Sequence, residues 1–421
     1  MLLRITLILT FFLSLTGISY ASQQVMAGSI GISALTAGTY YLTPFGEQTI
    51  TATEERAYCF TPSAVTFKKL KVALSVAPGA GNSYIFTLRK NGADQAVTCT
   101  ISGTATSCQD DTNSFSSSGG LPVVLKVSST GTPASGALYH TTVVEGAKGE
   151  SMLCGSTYDT NISNAATSYF PLSGSKSGGA LVEANVHMIV PFYGTIKNLW
   201  ANASAAAGAG NNYVITIRKN AGDTTLTCTI GETDPNCNDV TNSFTVVPGD
   251  RINFEVTPNS LPTAALMRGG VSVISDIPGL FIFPLSSSIN MSGTVQEFCG
   301  ISTGACSWSS TELKQLAQSM KILKLMARVT AGVAGLRAHQ FDLMLNSVAS
   351  GLTCTVTGGV LTCQHIKDIQ VNDNDFLSTS QTPLNNPLAG MATISYMGYI
   401  AEEPRLINYG QLIINSQFIL P

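Results

Sequence analysis

Charge is scarce in this chain. Lys, Arg, Asp and Glu make up 11% of its 421 residues, against about 25% in ordinary soluble proteins. With 22 basic and 25 acidic residues the net charge is −3. That leaves no basic footprint for a polyanion, so nucleic acid is not an expected partner. Disorder needs high charge and few apolar residues, and here 44% of residues are hydrophobic. No stretch after residue 21 reaches 18 uninterrupted apolar residues, so no membrane insertion is expected beyond that point. Histidine occurs four times, as His140, His187, His339 and His365, in no recurring motif. No His-Glu-x-x-His pair is present, a common local signature of metal-dependent hydrolases. The short cysteine spacings of structural zinc sites are missing too. No metal, no cofactor and no catalytic residue is therefore expected, and the chain reads as a non-enzyme.

What is present begins with an address. Arg4 precedes an apolar run from Ile5 to Leu15, followed by small residues at Gly17, Ser19 and Ala21. This is the pattern of a secretory signal peptide, residues 1–21, cut after Ala21. The expected location is secreted or cell surface, in a periplasm or outside the cell. Ten cysteines fit such an oxidising compartment.

The cysteines also expose a repeat. Cys99 and Cys108 are nine apart, as are Cys228 and Cys237, and Cys354 and Cys363. Residues 79–115 lie over residues 208–244 with 21 identities in 37 positions and no gap. Self-similarity at a fixed period marks a repeated structural unit. A third, more divergent copy runs through 340–363, where Leu352-Thr353-Cys354-Thr355 matches Leu226-Thr227-Cys228-Thr229. Aromatic segments closing on Pro44, Pro171 and Pro284 read as equivalent points near the start of each copy, and the chain ends on the similar 418–421. The expected spans are repeat 1 at 22–147, repeat 2 at 148–277, repeat 3 at 278–403, and a C-terminal strand at 404–421 that resembles the opening of a fourth copy.

Within a copy the pattern is that of strands. Tyr84, Phe86 and Leu88 alternate with Ile85, Thr87 and Arg89, then Asn91-Gly92 offers a tight hairpin turn. Asn220-Ala221-Gly222 suggests a slightly different turn in copy two. Several short strands at regular spacing predict an all-β fold: three tandem antiparallel jelly-roll-like β-sandwiches with the extra C-terminal strand. One segment disagrees. Helix-forming composition predicts a short helix over Thr311–Gln318, before a strand over Met320–Val329.

The three nine-residue cysteine pairs are expected to be disulfides, each contributing about 2–3 kcal/mol by loop closure. The other four, Cys59, Cys154, Cys299 and Cys306, allow three pairings. Cys299–Cys306 with Cys59–Cys154 is preferred, the latter tying copy one to copy two. Arg89-Lys90 recurs as Arg218-Lys219 beside the turn, and reads either as a guarded strand end or as an anion contact. Asp111-Thr112-Asn113, Asp239 with Thr241-Asn242, and Asn372-Asp373-Asn374-Asp375 are the densest oxygen clusters, short of the six to eight ligands calcium needs. The paired acids Glu54-Glu55 and Glu402-Glu403 sit near expected element ends. Asn161, Asn202 and Asn290 head Asn-x-Ser sequons.

The run Phe86–Asn91 and its counterpart 215–220, the later Thr-Asn-Ser-Phe at 112–115 and 241–244, and Val246-Val247-Pro248-Gly249-Asp250 carry a resemblance. They are similar to exported bacterial jelly-roll modules, the tumour-necrosis-factor-like heads of collagen-like spore-surface proteins and of phage fibres. The resemblance covers about 60 residues of each copy and departs at Gly119-Gly120, where copy one lacks Gly-Asp. It implies a jelly-roll fold and an exported, non-catalytic role, and it carries over no functional residue. Heads of that type are trimers, so three copies in one chain read as a single-chain pseudo-trimer or as beads on a string. The expected function is a structural or adhesive surface protein, an assembly subunit whose C-terminal strand adds to another protein subunit. The alternative is a secreted carbohydrate-binding β-sandwich protein, with glycans as partners and Tyr40, Tyr41, Tyr84, Trp200 and Trp308 as candidate platforms.

Overall fold

The computed structural model describes residues 21–30, 33–47, 50–147, 149–286, 289–302, 306, 308–330 and 335–400. Copy one contains β1 (Ser22–Ser29), β2 (Thr39–Leu42), β3 (Val65–Leu74), β4 (Gly79–Lys90), β5 (Ala93–Gly103), β6 (Ser107–Ser117), β7 (Pro122–Thr130) and β8 (Leu138–Gly146). Copy two contains β9 (Glu150–Ser156), β10 (Ser168–Phe170), β11 (Gly194–Ala203), β12 (Asn212–Lys219), β13 (Gly222–Ile230), β14 (Asn236–Val246), β15 (Arg251–Asn259) and β16 (Met267–Ser275). Copy three contains β17 (Phe281–Ser286), β18 (Glu297–Cys299), β19 (Met320–Val329), β20 (Ala338–Leu345), β21 (Val348–Thr357), β22 (Thr362–Val371), β23 (Phe376–Leu384) and β24 (Ala392–Tyr399). Two-residue ladders are named below by their residues.

The six sheets fall into three pairs of one order. In copy one they run β1-β8-β3-β6 and β2-β7-β4-β5, and copies two and three repeat this strand for strand. The last strand of each copy lies between its first and third, which is the jelly-roll order. The predicted alternation is what fills the sandwich. Tyr84, Phe86 and Leu88 are buried, as are Tyr213, Ile215 and Ile217 at the same places in copy two. Phe67 stacks on Phe115 with ring centroids 5.1 Å apart, joining two strands of one sheet.

The hairpin between the fourth and fifth strands is the same in every copy. Asn91-Gly92, Asn220-Ala221 and Asn346-Ser347 all have both residues at positive φ. This corrects the expectation of a different turn in copy two. Ala221 takes the left-handed conformation itself (φ 65°), and Gly222 begins the next strand. The predicted helix over 311–318 is absent. Gln315–Leu316 instead pairs with Leu377 and Phe376, and Gln315, Leu316, Ala317 and Gln318 are buried. Burial against β23 and copy one outweighs helix propensity there. The aromatic-proline segments are not equivalent either. Tyr40-Tyr41 and Phe170 lie on the second strand of their copies, whereas Phe281–Pro284 lies on the first strand of copy three. Residues 1–20 and 404–421, with the expected signal peptide and C-terminal strand, lie outside the described residues. Copy three completes its eight strands by Tyr399.

Candidate functional site at the junctions of the copies

All ten cysteines are paired, as Cys59–Cys154, Cys99–Cys108, Cys228–Cys237, Cys299–Cys306 and Cys354–Cys363. The three nine-residue loops join the fifth strand of a copy to the sixth, which are the outer edges of its two sheets. Each bond therefore closes one seam of a sandwich. Cys59–Cys154 does something different. It ties the segment before β3 in copy one to β9 of copy two.

That bond marks the first of three junctions of one design. In copy one, Cys59–Phe60 pairs with β7 and leans on copy two. A Cβ built on Gly270 of β16 would lie 2.1 Å from the Phe60 carbonyl oxygen, so only glycine fits under this segment. In copy two the corresponding segment is Met188–Ile189, and it leans on copy three. The Ser395 hydroxyl of β24 donates to the Ile189 carbonyl oxygen at 2.5 Å, and Lys324 Nζ of β19 donates to that of Pro191 at 3.0 Å. In copy three it is Gln315–Leu316, and it leans on copy one. The Gln318 amide donates to the Lys69 carbonyl oxygen at 2.6 Å, and Tyr139 meets Phe376 edge to face at 5.1 Å. Contacts thus run from one to two, two to three and three to one, closing a cycle. At its centre a Cβ on Gly46 would lie 2.7 Å from the Ser302 carbonyl oxygen and 3.0 Å from the Gly174 Cα. The three copies meet where two of them carry glycine. Gln24 of β1 adds a buried amide pair with the Met152 backbone, donating at 3.0 Å and accepting at 2.8 Å. A closed triad, rather than a string, is the arrangement these contacts define.

The same place in each junction is filled in three ways. Between copies one and two, the Trp200 ring lies over Gly119 and Gly120; a Cβ on Gly120 would sit 2.4 Å from the ring. Between copies three and one, Lys71 Nζ pairs with Asp373 at 2.7 Å. Between copies two and three, Pro248 stands where Gly119 and Asp373 stand. Beside it is a cavity of about 40 Å³ bordered by Lys324. Burial pushes the Lys324 ammonium down to about 8.

The other predicted candidates resolve into structural roles. Arg89 is held by Glu54 at 2.9 Å and by Asp94, and Arg218 by Glu183 at 3.1 Å and Glu255 at 3.1 Å. Both guanidinium forks are occupied within the protein. Asp110 and Asp239 are caps. The Asp239 carboxylate accepts the backbone N–H groups of Thr227, Thr241 and Asn242 at 3.2, 3.1 and 3.0 Å. Burial pushes its carboxyl up, but the Asn242, Thr227 and Thr241 hydrogen bonds outweigh this and hold it at about 2. In copy three His365 Nδ1 takes over, accepting the Thr353 N–H at 3.1 Å. The run 372–375 spends its carboxylates on partners within the protein. Asp375 accepts the Asn372 N–H at 2.7 Å and Asp373 pairs with Lys71. Among the described residues no three His, Cys, Asp or Glu gather as metal ligands. His140 is buried over Gly28 and pushed by burial to about 4. His187 is pushed to about 4 by burial and by Arg251, against the pull of Glu183. His339 bonds the Leu388 carbonyl and the Gln381 amide inside copy three. Of the aromatic platforms, Tyr84 and Trp308 are buried and Trp200 sits in a junction, which leaves Tyr40 and Tyr41 half-buried at a strand edge. Glu402-Glu403 lie outside the described residues.

The fold and these junctions define an all-β, disulfide-stapled sandwich protein, and five disulfides suit an oxidising compartment. No helix among the described residues is long and apolar enough to cross a membrane. No family model matches the chain, and no curated protein matches it. Among solved structures it aligns with that of infectious bursal disease virus, Gx strain. The match is 10% identical over 94% of this chain and 88% of that one, with a TM-score of 0.14. A structure of T=1 particles derived from infectious bursal virus aligns at 10% identity over 94% and 85%, also with a TM-score of 0.14.

Proposed function

We propose that this chain is an exported, non-catalytic structural protein of a surface assembly, built as one rigid triad and joined to other subunits through residues 404–421. One observation carries the reading: copy three already has its eight strands in the common order by Tyr399. The C-terminal segment is not needed to close its own sandwich, so an added strand belongs to another sheet. The adhesive side of the reading rests on the loops of copy three. Strand directions put residues 289–296, 335–337, 358–361 and 385–391 at one end of that sandwich. There Val295, Leu336, Val360 and Leu388 are exposed by 52, 86, 55 and 58%. At the same end of copies one and two, only Val76 and Leu261 are comparable among the described residues. Apolar side chains gathered in this way suit contact with a protein partner.

The test compares residues 22–421 with 22–403 by light scattering after size exclusion and by negative-stain imaging. Oligomers or filaments of the longer chain that vanish in the shorter one are expected. A compact monomer in both would remove the assembly role.

A further inference from the structure

The three junctions share one place and fill it differently, and one is left short of an anion. Gly119, Pro248 and Asp373 are equivalent. Val247 and Asn372 each donate a backbone N–H to the aspartate three residues on, Asp250 at 2.8 Å and Asp375 at 2.7 Å, and these frame Pro248 and Asp373 alike. Beside Asp373 the lysine of the facing sheet, Lys71, has a carboxylate partner at 2.7 Å. Beside Gly119 the facing residue is Trp200, which fills the space with its ring. Beside Pro248 the cavity is bordered by Lys324, only 4% exposed, which stands two residues before Met326, the strand counterpart of Lys71 and Trp200. Among the described residues its ammonium has one acceptor, the Pro191 carbonyl at 3.0 Å, and no carboxylate within ion-pair reach. Asp276 also borders the cavity but forms no ion pair with Lys324. Tyr193 and Ser275 also border it, and the rest of the wall is apolar, with Phe192, Pro248, Ile277, Leu280 and Met397.

A buried ammonium without an anion is costly, and a bound carboxylate relieves that cost. The cavity of about 40 Å³ exceeds the roughly 10–15 Å³ that one water requires. It has room for a carboxylate and one or two carbons. We propose that the cavity between copies two and three is a binding site for a small monocarboxylate. Its carboxylate pairs with Lys324, as Asp373 pairs with Lys71, and its short alkyl end lies against Leu280 and Met397. The site is independent of whether the C-terminal segment builds an assembly.

The experiment uses the chain 22–421 with propionate as the probe, followed by calorimetry and by the thermal midpoint. Propionamide and chloride are the controls. Saturable propionate binding is expected below about 100 mM, as suits so small a ligand. Propionamide and chloride should bind at least tenfold more weakly. Lys324→Met should lose the binding at least tenfold. Pro248→Asp supplies the carboxylate from the protein, as copy three does, so it should also lose the binding at least tenfold while keeping the midpoint at or above that of the parent. The second variant decides the matter if the first fails to fold. Absence of saturable binding, equal binding of propionamide or chloride, or binding unchanged in Pro248→Asp would each overturn the proposal. So would binding seen only with 22–403, because the chain's own C-terminal segment would then be the occupant.

Discussion

At the residue scale the three hairpin turns make a natural comparison. Gly92 meets the left-handed demand without a Cβ penalty, whereas Ala221 and Ser347 adopt φ of 65° and 68°. An L-residue in that region costs about 1 kcal/mol. Ala221→Gly is therefore expected to raise stability by about 0.5–1 kcal/mol, partly offset by the greater freedom of glycine in the unfolded chain. Urea denaturation would read this as a higher midpoint at unchanged slope. The capping aspartates have the opposite sensitivity. Asp239 is held at about 2 in the folded state, below its unfolded value of about 3.9. Its stabilisation is present above the unfolded value and is lost as pH falls through about 2. Asp239→Asn removes the charge from three backbone hydrogen bonds and is expected to cost about 1–3 kcal/mol at pH 7. His365, which fills the same position in copy three, shows why the repeat is hard to see there. The cap's job needs an acceptor, not an aspartate.

At the element scale, the segment preceding the third strand of each copy was the hardest to read. Residues 311–318 have the composition of a helix, and nothing local forbids one. What decides is that Gln315 and Leu316 find backbone partners on β23 while Gln318 reaches the Lys69 carbonyl across the junction. Cys59–Cys154 secures the same segment in copy one. Its loop spans 95 residues, and in the chain-entropy model closing so long a loop stabilises by about 4–5 kcal/mol. Replacing both cysteines by alanine should lower stability by about 2–5 kcal/mol. Removing Cys228–Cys237, which closes nine residues, should cost less. Chemical denaturation of the two double variants under oxidising conditions would rank them. An equal loss would mean that the long bridge adds nothing beyond a local staple.

At the scale of the whole molecule the buried histidines set an acid limit. The ordinary histidine value near 6.5 falls to about 4 for both His140 and His187. A folded value below the unfolded one means that acid favours the unfolded chain. The stability contributed by the neutral imidazole is whole above pH 6.5 and lost as pH drops toward 4. For His140 the loss reaches about 3 kcal/mol. His140 lies over Gly28, close to the centre where the copies meet, and His187 faces Arg251 and Arg328 at the junction of copies two and three. Thermal unfolding measured from pH 7 to pH 4 should show a falling midpoint. In His140→Leu that fall should be shallower; an unchanged slope would acquit this residue.

Much of the protein was legible in one dimension. Alternating apolar residues, paired cysteines and Asn-rich turns are local patterns, and each depends on neighbours a few residues away. They determined the strands, the repeat, the sandwiches and the three nine-residue cysteine pairs, whereas Cys59–Cys154 and Cys299–Cys306 were a preference among three pairings that the structure decided. What needed the tertiary structure depends on residues more than a hundred positions apart. The closed triad, the pairing of Asp373 with Lys71, and the burial of Lys324 follow from how one copy's surface meets the next. Pro248 and Asp373 could not be equated from sequence, because little but their shared loop geometry connects them. Whether a lysine is a solvated strand residue or a buried ammonium in need of an anion is set by what packs against it. Only the fold supplies that neighbour.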